Sequence, residues 1–204
     1  MIEGSDRRVG LVSEVVETGP RTGNTLSMVE EALREAHLER EQIECVAVGL
    51  GPGSYNGVRV AIALAQGWQL AGGVKVRGIS SVECLAAQAQ AEGVLGRLNV
   101  VIDAQRNEFY LASYEVNAQS CREIEPLRLA TFAEVQKRER SGELLMGPEA
   151  TKWFPGSRVI FPRAAALGRL AAKRQDSTPG EELKPIYLRE TSFVKAAPSR
   201  KLFR

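Results

Sequence analysis

At 204 residues the chain is long for one compact core and suits one large domain or two small lobes. Its 44% hydrophobic and 25% charged residues are those of an ordinary soluble globular protein, and a formal net charge of +2 singles out no partner. No run reaches the ~18 consecutive apolar residues of a membrane span, and Met1–Arg8 lacks the form of a signal peptide.

The first elements alternate. Arg8–Val16 has the β-branched content of a strand, broken by Thr18–Gly23. Asn24 is placed to cap a helix over Thr25–Leu38, whose Leu26, Val29, Leu33 and Ala36 share one stripe. A strand from Glu44 then runs into the glycine-rich turn Gly51-Pro-Gly-Ser-Tyr-Asn-Gly57 and an alanine-rich helix over Asn56–Ala71. On that helix Ala61, Leu64, Ala65 and Trp68 line one side and Val58 and Ile62 another, so most of its surface must be covered. The cover is either internal, from a sheet and the preceding helix, or a partner protein. Val74–Ser80 reads as a strand and Ser81–Glu92 as a helix with Val82, Leu85 and Ala89 on one face. This order implies a mostly parallel α/β layer.

Gly93–Gly96 breaks the pattern and divides a first lobe, residues 1–96, from a second, 97–190. The second opens with a strand, Arg97–Asp103, a polar turn and another strand, Glu108–Val116. After Leu127-Arg-Leu comes a charged helix over Thr131–Arg140, a short strand and turn at Glu143–Pro148, and an amphipathic helix over Phe161–Lys173. From Lys184 onward six basic residues face one acid, giving +5, and residues 191–204 form a basic tail. Such a tail either touches RNA phosphates or is simply solvated; no stacking platform or RNA-binding signature accompanies it in the sequence.

The turn at Gly51–Gly57 carries the strongest local signal, and two readings of it stand. Free N–H groups at the following helix start, with Gly51, Gly53 and Gly57 permitting close approach, can hold an anion or nucleotide phosphate. Pro52-Gly53 is equally a plain way to turn a strand into a helix, with Ser54 as the cap. A Walker loop would need Gly-Lys-Ser/Thr where Gly57-Val58-Arg59 stands, and the glycine spacing also misses the dinucleotide fingerprint. An NADP site drawing on Arg77 is therefore the weakest of the enzyme readings. Asp103, at a strand end, is either a metal- or phosphate-positioning carboxylate or the cap of its own turn.

Absences restrict the chemistry. His37 is the only histidine, which excludes HxxxH and HExxH metal sites, and no G-x-S-x-G elbow exists. Cys45, Cys84 and Cys121 form no CxxC pair, and their odd number excludes a full disulfide framework, pointing to a reduced cytoplasmic protein. Cys45 and Cys84 read as small buried hydrophobes.

Gly51-Pro-Gly-Ser-Tyr-Asn-Gly-Val-Arg59 resembles the GPGSFTGLR signature of the bacterial TsaB (YeaZ-like) family. Gly78–Ala86, Ile102–Tyr110 and Lys184–Arg189 follow in the family's order and spacing. The resemblance implies an α/β, actin-like/ribonuclease H-like fold of two small lobes with mixed sheets flanked by helices. It also implies a non-catalytic scaffold for a TsaD-like subunit, which carries the metal site and transfers threonylcarbamoyl to the adenosine at position 37 of tRNA. Pairing would run through the first lobe at Val58, Ala61, Ile62, Leu64, Ala65 and Trp68. A TsaE-like ATPase would join, with ATP bound at the level of the complex, no firmly bound cofactor and tRNA reached through the assembly. A homodimer stays open, as does an enzyme that itself binds ATP at Gly51, Gly53, Ser54, Gly57 and Asp103 and transfers an acyl or phosphoryl group. Against the family pattern, the first strand (roughly I-L-A-I-D-T) and most of its hairpin are missing here, which suggests a late-assigned start. Asn56 stands where the signature has threonine.

Overall fold

The structure, a computed structural model, describes residues 13–16 and 24–188. The strand expected at Arg8–Val16 lies mostly outside the described residues, and 13–16 carry no regular secondary structure. The basic tail, residues 191–204, also lies outside them. In order the elements are α1 (Thr25–Ala36), β1 (Cys45–Gly49), α2 (Tyr55–Gly72), β2 (Lys75–Ile79), α3 (Ser81–Ala91), β3 (Gly96–Asp103) and β4 (Glu108–Val116). There follow β5 (Cys121–Thr131), α4 (Phe132–Arg140), β6 (Leu144–Gly147), β7 (Arg158–Val159) and α5 (Ala164–Lys173).

Among the described residues β1 and β2 pair in parallel, Cys45 opposite Lys75 through Gly49 opposite Ile79. A strand followed by a helix and a parallel strand needs cover on both faces, and the side chains alternate accordingly. Val46, Val48 and Val76 face α2, where they meet Ile62, Ala65 and Leu183. Ala47 and Ile79 face the other way, onto Ala166, Leu167, Leu170 and Ala171 of α5.

A second, mixed sheet has the order β5-β4-β3-β6-β7. The β3–β4 hairpin is antiparallel, Gly96 opposite Val116 through Asp103 opposite Phe109, whereas β3–β6 and β6–β7 are parallel. Helix α3 joins the two sheets. Its Val82, Leu85, Ala86 and Ala89 enter the core of the second sheet with Leu98, Val100 and Ala112, while Cys84 packs with Ile79, Ala166 and Ala171 beside the first. On the far face of the second sheet Phe132, which opens α4, stacks on Phe154, and Phe109 meets Phe154 edge-on, with Val135 and Leu145 in the same cluster.

Two features lie outside the local sequence pattern. Chain well beyond the Gly96 break also serves the first sheet. Helix α5 and residues 178–186 return to the first sheet, with Thr178 donating its N–H to the Val76 carbonyl and Ile186 to that of Leu50, both at 2.8 Å. The cause is the apolar faces of the β1–β2 pair, one of which, among the described residues, is covered by α5. Strand β5 is the other surprise. It carries Arg122, Glu123, Glu125, Arg128 and Pro126, yet it lies at the sheet edge, where charge and proline are tolerated. Its ladder to β4 shifts register between Leu111 and Tyr114, opposite that proline.

Candidate functional site

The glycine turn is built by its own residues. Gly51 adopts φ +87°, a left-handed backbone that strains any side chain, although a Cβ there would meet the Gly53 nitrogen and the Val58 methyls only at ordinary contact distance. Its carbonyl accepts from Ser81 N–H at 2.8 Å, tying the turn to the start of α3. Ser54 caps α2, with Gly57 N–H donating to its Oγ at 3.3 Å. That hydroxyl takes up one of the helix-start donors an incoming anion would need. Helix α1 differs: Asn24, expected as a side-chain cap, makes no such bond, because its φ of −106° and ψ of 16° keep the chain out of the extended cap geometry.

The fourth motif folds back onto the first. Leu183 is buried against α2, and around it Gln66 Nε2 donates to the Gly180 carbonyl at 2.8 Å while Gly180 N–H donates to Gln69 Oε1 at 2.6 Å. Past the Ile186–Leu50 bond the ring of Tyr187 stacks on that of Tyr55, centroids 5.4 Å apart. The Arg59 guanidinium sits 4.9 Å from the Tyr55 centroid and also donates to its hydroxyl. Burial, and then the neighbouring Tyr55, push the Tyr187 phenol up from its ordinary value. This aromatic cluster was not legible from Tyr55 or Tyr187 alone, since 132 residues separate them in the chain.

Asp103 is engaged locally. Its carboxylate accepts the Gln105 N–H at 2.6 Å and the Gln105 side-chain amide at 3.3 Å, closing the left-handed turn Gln105–Asn107. Arg77 is likewise committed: it donates to the carbonyls of Asp176 at 2.7 Å and Ala171 at 2.6 Å, which removes it from any NADP phosphate site. Among the described residues no three His, Cys, Asp or Glu side chains gather into a metal site, and no helix is long and apolar enough to cross a membrane. Cys84 is buried as expected, and that burial pushes its thiol up to about 11.

The residues expected to pair with a partner divide. Ile62 and Ala65 are 5% and 1% exposed, and Val58 and Ala61 pack against the same cluster, so this side of α2 belongs to the protein's own core. Leu64 and Trp68, a step further round the helix, line an open groove of about 470 Å³ with Leu26, Val29, Ile43 and Val74. Helix α1 forms the other bank and buries no residue fully; Leu26 is 59% exposed. The signal that separates the two sides is the strand pairing, which the helical period of α2 does not reveal.

A second cavity, about 550 Å³, lies where the second and fourth motifs meet, lined by Ser80, Glu83, Tyr114, Arg174, Ile186 and Leu188 among others. Arg174 holds Glu83 in a two-pronged pair at 2.6 and 2.7 Å. The Ser80 hydroxyl, at the start of α3, is buried without a hydrogen-bond partner among the described residues.

Known proteins share this arrangement. Residues 22–176 match the family model described as TsaD: tRNA N6-adenosine threonylcarbamoyltransferase. The chain is 26% identical to the tRNA threonylcarbamoyladenosine biosynthesis protein TsaB of Escherichia coli (strain K12), over 94% of this chain and 91% of that one. Its identity to the protein of the same name from Haemophilus influenzae is 29%, over 88% and 84%. A crystal structure from Pseudomonas aeruginosa, of an uncharacterized protein with similarity to the peptidase YeaZ, superposes with a TM-score of 0.69. It is 25% identical, over 81% of this chain and 83% of that one. The architecture is thus the actin-like/ribonuclease H-like fold. With four motifs in order, two of them in contact across the fold, and these matches in agreement, the chain belongs to the TsaB (YeaZ-like) family.

Proposed function

We propose that the chain takes part in forming threonylcarbamoyladenosine in tRNA, as a non-catalytic scaffold that holds a TsaD-like subunit in working geometry. The observation that carries this reading is the apolar groove between α1 and α2. Leu26, Leu64, Trp68 and Val74 line it, and Val60 and Leu70 on α2 are 39% and 91% exposed. Apolar surface of this kind marks an interaction site. The names of the bacterial relatives supply the pathway. The match of residues 22–176 to the TsaD model supports a partner built on a related fold, in which helix pairs of similar shape meet. A TsaE-like ATPase, with ATP, enters at the level of this complex.

Reconstitution tests the reading. The purified chain supplied with tRNA and a threonylcarbamoyl-AMP source gives no modified nucleoside. Addition of a TsaD-like subunit and its ATPase partner restores transfer. Leu64→Arg leaves the circular dichroism unchanged and abolishes co-purification of the TsaD-like subunit. Transfer by the chain alone, or full pairing by Leu64→Arg, overturns the proposal. A groove filled instead by a second copy of this chain would show as a dimer in sedimentation that Leu64→Arg dissociates, with no loss of the TsaD-like subunit.

A further inference from the structure

We propose that the 550 Å³ cavity at the start of α3 binds a free α-amino acid with an aliphatic side chain, its carboxylate held by the helix start and its ammonium by Glu123. The cavity shares no lining residue with the α1–α2 groove, so this site does not rest on the scaffold reading.

The first observation is a helix cap left open. Ser80-Ser-Val-Glu83 has the spacing of a capping box, in which the serine hydroxyl accepts the glutamate N–H and the glutamate side chain turns back to the serine N–H. Neither bond forms: Ser80 makes no side-chain cap, and the Glu83 carboxylate accepts from Arg174 instead, at 2.6 and 2.7 Å. Ser81 donates its N–H to the Gly51 carbonyl and Cys84 to that of Ser80, but among the described residues the Val82 and Glu83 N–H groups have no acceptor. The buried Ser80 hydroxyl stands beside them, equally unmet. Two amide donors and a hydroxyl at the positive end of an 11-residue helix, all on residues that line the cavity, call for one negatively charged acceptor. Arg174 neutralises the Glu83 carboxylate that would otherwise repel it.

Strands β4 and β5 supply the second observation, independent of the first. Tyr114 is 4% exposed, lines the cavity, and has no hydrogen-bond partner among the described residues. Burial, and then the neighbouring Glu123 and Glu83 carboxylates, push its phenol up from the ordinary value, so it remains a donor. Glu123 is the cross-strand partner of Tyr114 and lines the same cavity. Among the described residues it has no ion-pair partner, which leaves a carboxylate ready for a cation.

An α-amino acid is the ligand that uses every part. Its carboxylate accepts from the Val82 and Glu83 N–H groups and the Ser80 hydroxyl, its ammonium donates to Glu123, and its side chain meets the apolar lining of Leu127, Ile186 and Leu188. A nucleotide would bring several negative charges to a lining with two carboxylates and a single guanidinium that is already paired. A polyamine would use the carboxylates and leave the helix start and Ser80 unmet.

An NMR titration of the full purified chain tests this with three probes: L-leucine, N-acetyl-L-leucine, which lacks the ammonium, and L-leucinamide, which lacks the carboxylate. Leucine moves the Val82 and Glu83 amide resonances and binds about tenfold or more tightly than either of the other two. Glu123→Gln weakens leucine about tenfold and leaves N-acetyl-leucine unchanged, whereas Ser80→Ala weakens both. Unmoved Val82 and Glu83 amides, or leucinamide or N-acetyl-leucine binding as tightly as leucine, overturns the site. Circular dichroism checks each variant, and where one fails to fold the comparison of the three probes on the unaltered chain decides. These titrations need no partner protein, so their failure leaves the scaffold reading standing, and a failed reconstitution leaves the site to be judged by leucine alone.

Discussion

Arg138 on α4 donates through Nη1 to the amide oxygen of Asn99 at 2.8 Å, and Asn99 is wholly buried in the middle of β3. The same nitrogen reaches Ser113 Oγ at 3.0 Å, also wholly buried, and the second guanidinium nitrogen reaches Glu125 at 2.7 Å. Asn99 completes its set by donating to Glu143 and the Leu144 carbonyl. Each polar group in this part of the core is satisfied, and one arginine connects them. Arg138→Met is expected to destabilise the protein by roughly 3 kcal/mol in urea denaturation, since it takes from Asn99, Ser113 and Glu125 the one donor they share. Arg138→Lys should recover little, because one ammonium cannot reproduce the guanidinium fork. A loss below about 1 kcal/mol for Arg138→Met would show the network to be ornamental.

Acid should weaken the same region. The hydrogen bond from Arg138 holds the Glu125 carboxyl below its ordinary 4.5, and that from Arg128 does the same for Glu134. Both folded values are depressed, so the folded state binds fewer protons than the unfolded chain. The resulting stability is fully present above pH 4.5 and is lost as pH falls below it through the folded values. Both side chains are about a third exposed, so the effect per group is modest. The expected measurement is a urea midpoint that drops between about pH 5 and pH 3, with a shallower drop in Arg138→Met.

Gly147 marks a place where no side chain fits. A Cβ there would lie 1.8 Å from the Val101 carbonyl oxygen, which is backbone and cannot step aside. Gly147→Ala should part β6 from β3 and cost roughly 3 kcal/mol or more, read as a large fall in melting temperature. Gly168, inside α5, has nothing within 4 Å of a built Cβ. Gly168→Ala should stabilise by about 0.5–1 kcal/mol.

Ala65 and Leu64 are neighbours in sequence with opposite surroundings. Ala65→Arg puts a charge into a position 1% exposed and should give unfolded or insoluble protein. Leu64→Arg, at the groove, should fold normally with an unchanged melting temperature. Thermal melts of the two variants decide whether the two sides of α2 are assigned correctly.

Much of the fold was readable in the sequence because local signals agreed with one another. Strand β4 has the bounds Glu108–Val116 that its pattern gives, and α2, β2, α3 and β6 differ from their expected ends by a residue or two. The glycine turn and the Ser54 cap were readable too, since a cap is a three-residue event. What could not be read depends on chain returning from far away. Covering of β1–β2 by α5, the Tyr55–Tyr187 stack and the burial of Ala65 all follow from residues 164–187 coming back to the first sheet. Strand β5 escaped notice for a different reason: its charged residues look like a loop until Arg97, Arg138 and Glu134 are seen to pair with them.

Helix α3 is bedded on both sides, with Leu85 and Ala89 sunk among the strands of the second sheet and Cys84 against α5. No clean plane of separation runs between the halves of the molecule. A clamshell motion, swinging one sheet away from the other, would have to peel this helix out of one bed or the other and strip side chains that are now about 1% exposed or less. Among the described residues α3 is therefore a brace between the two sheets, and moving one against the other carries the cost of exposing its buried face.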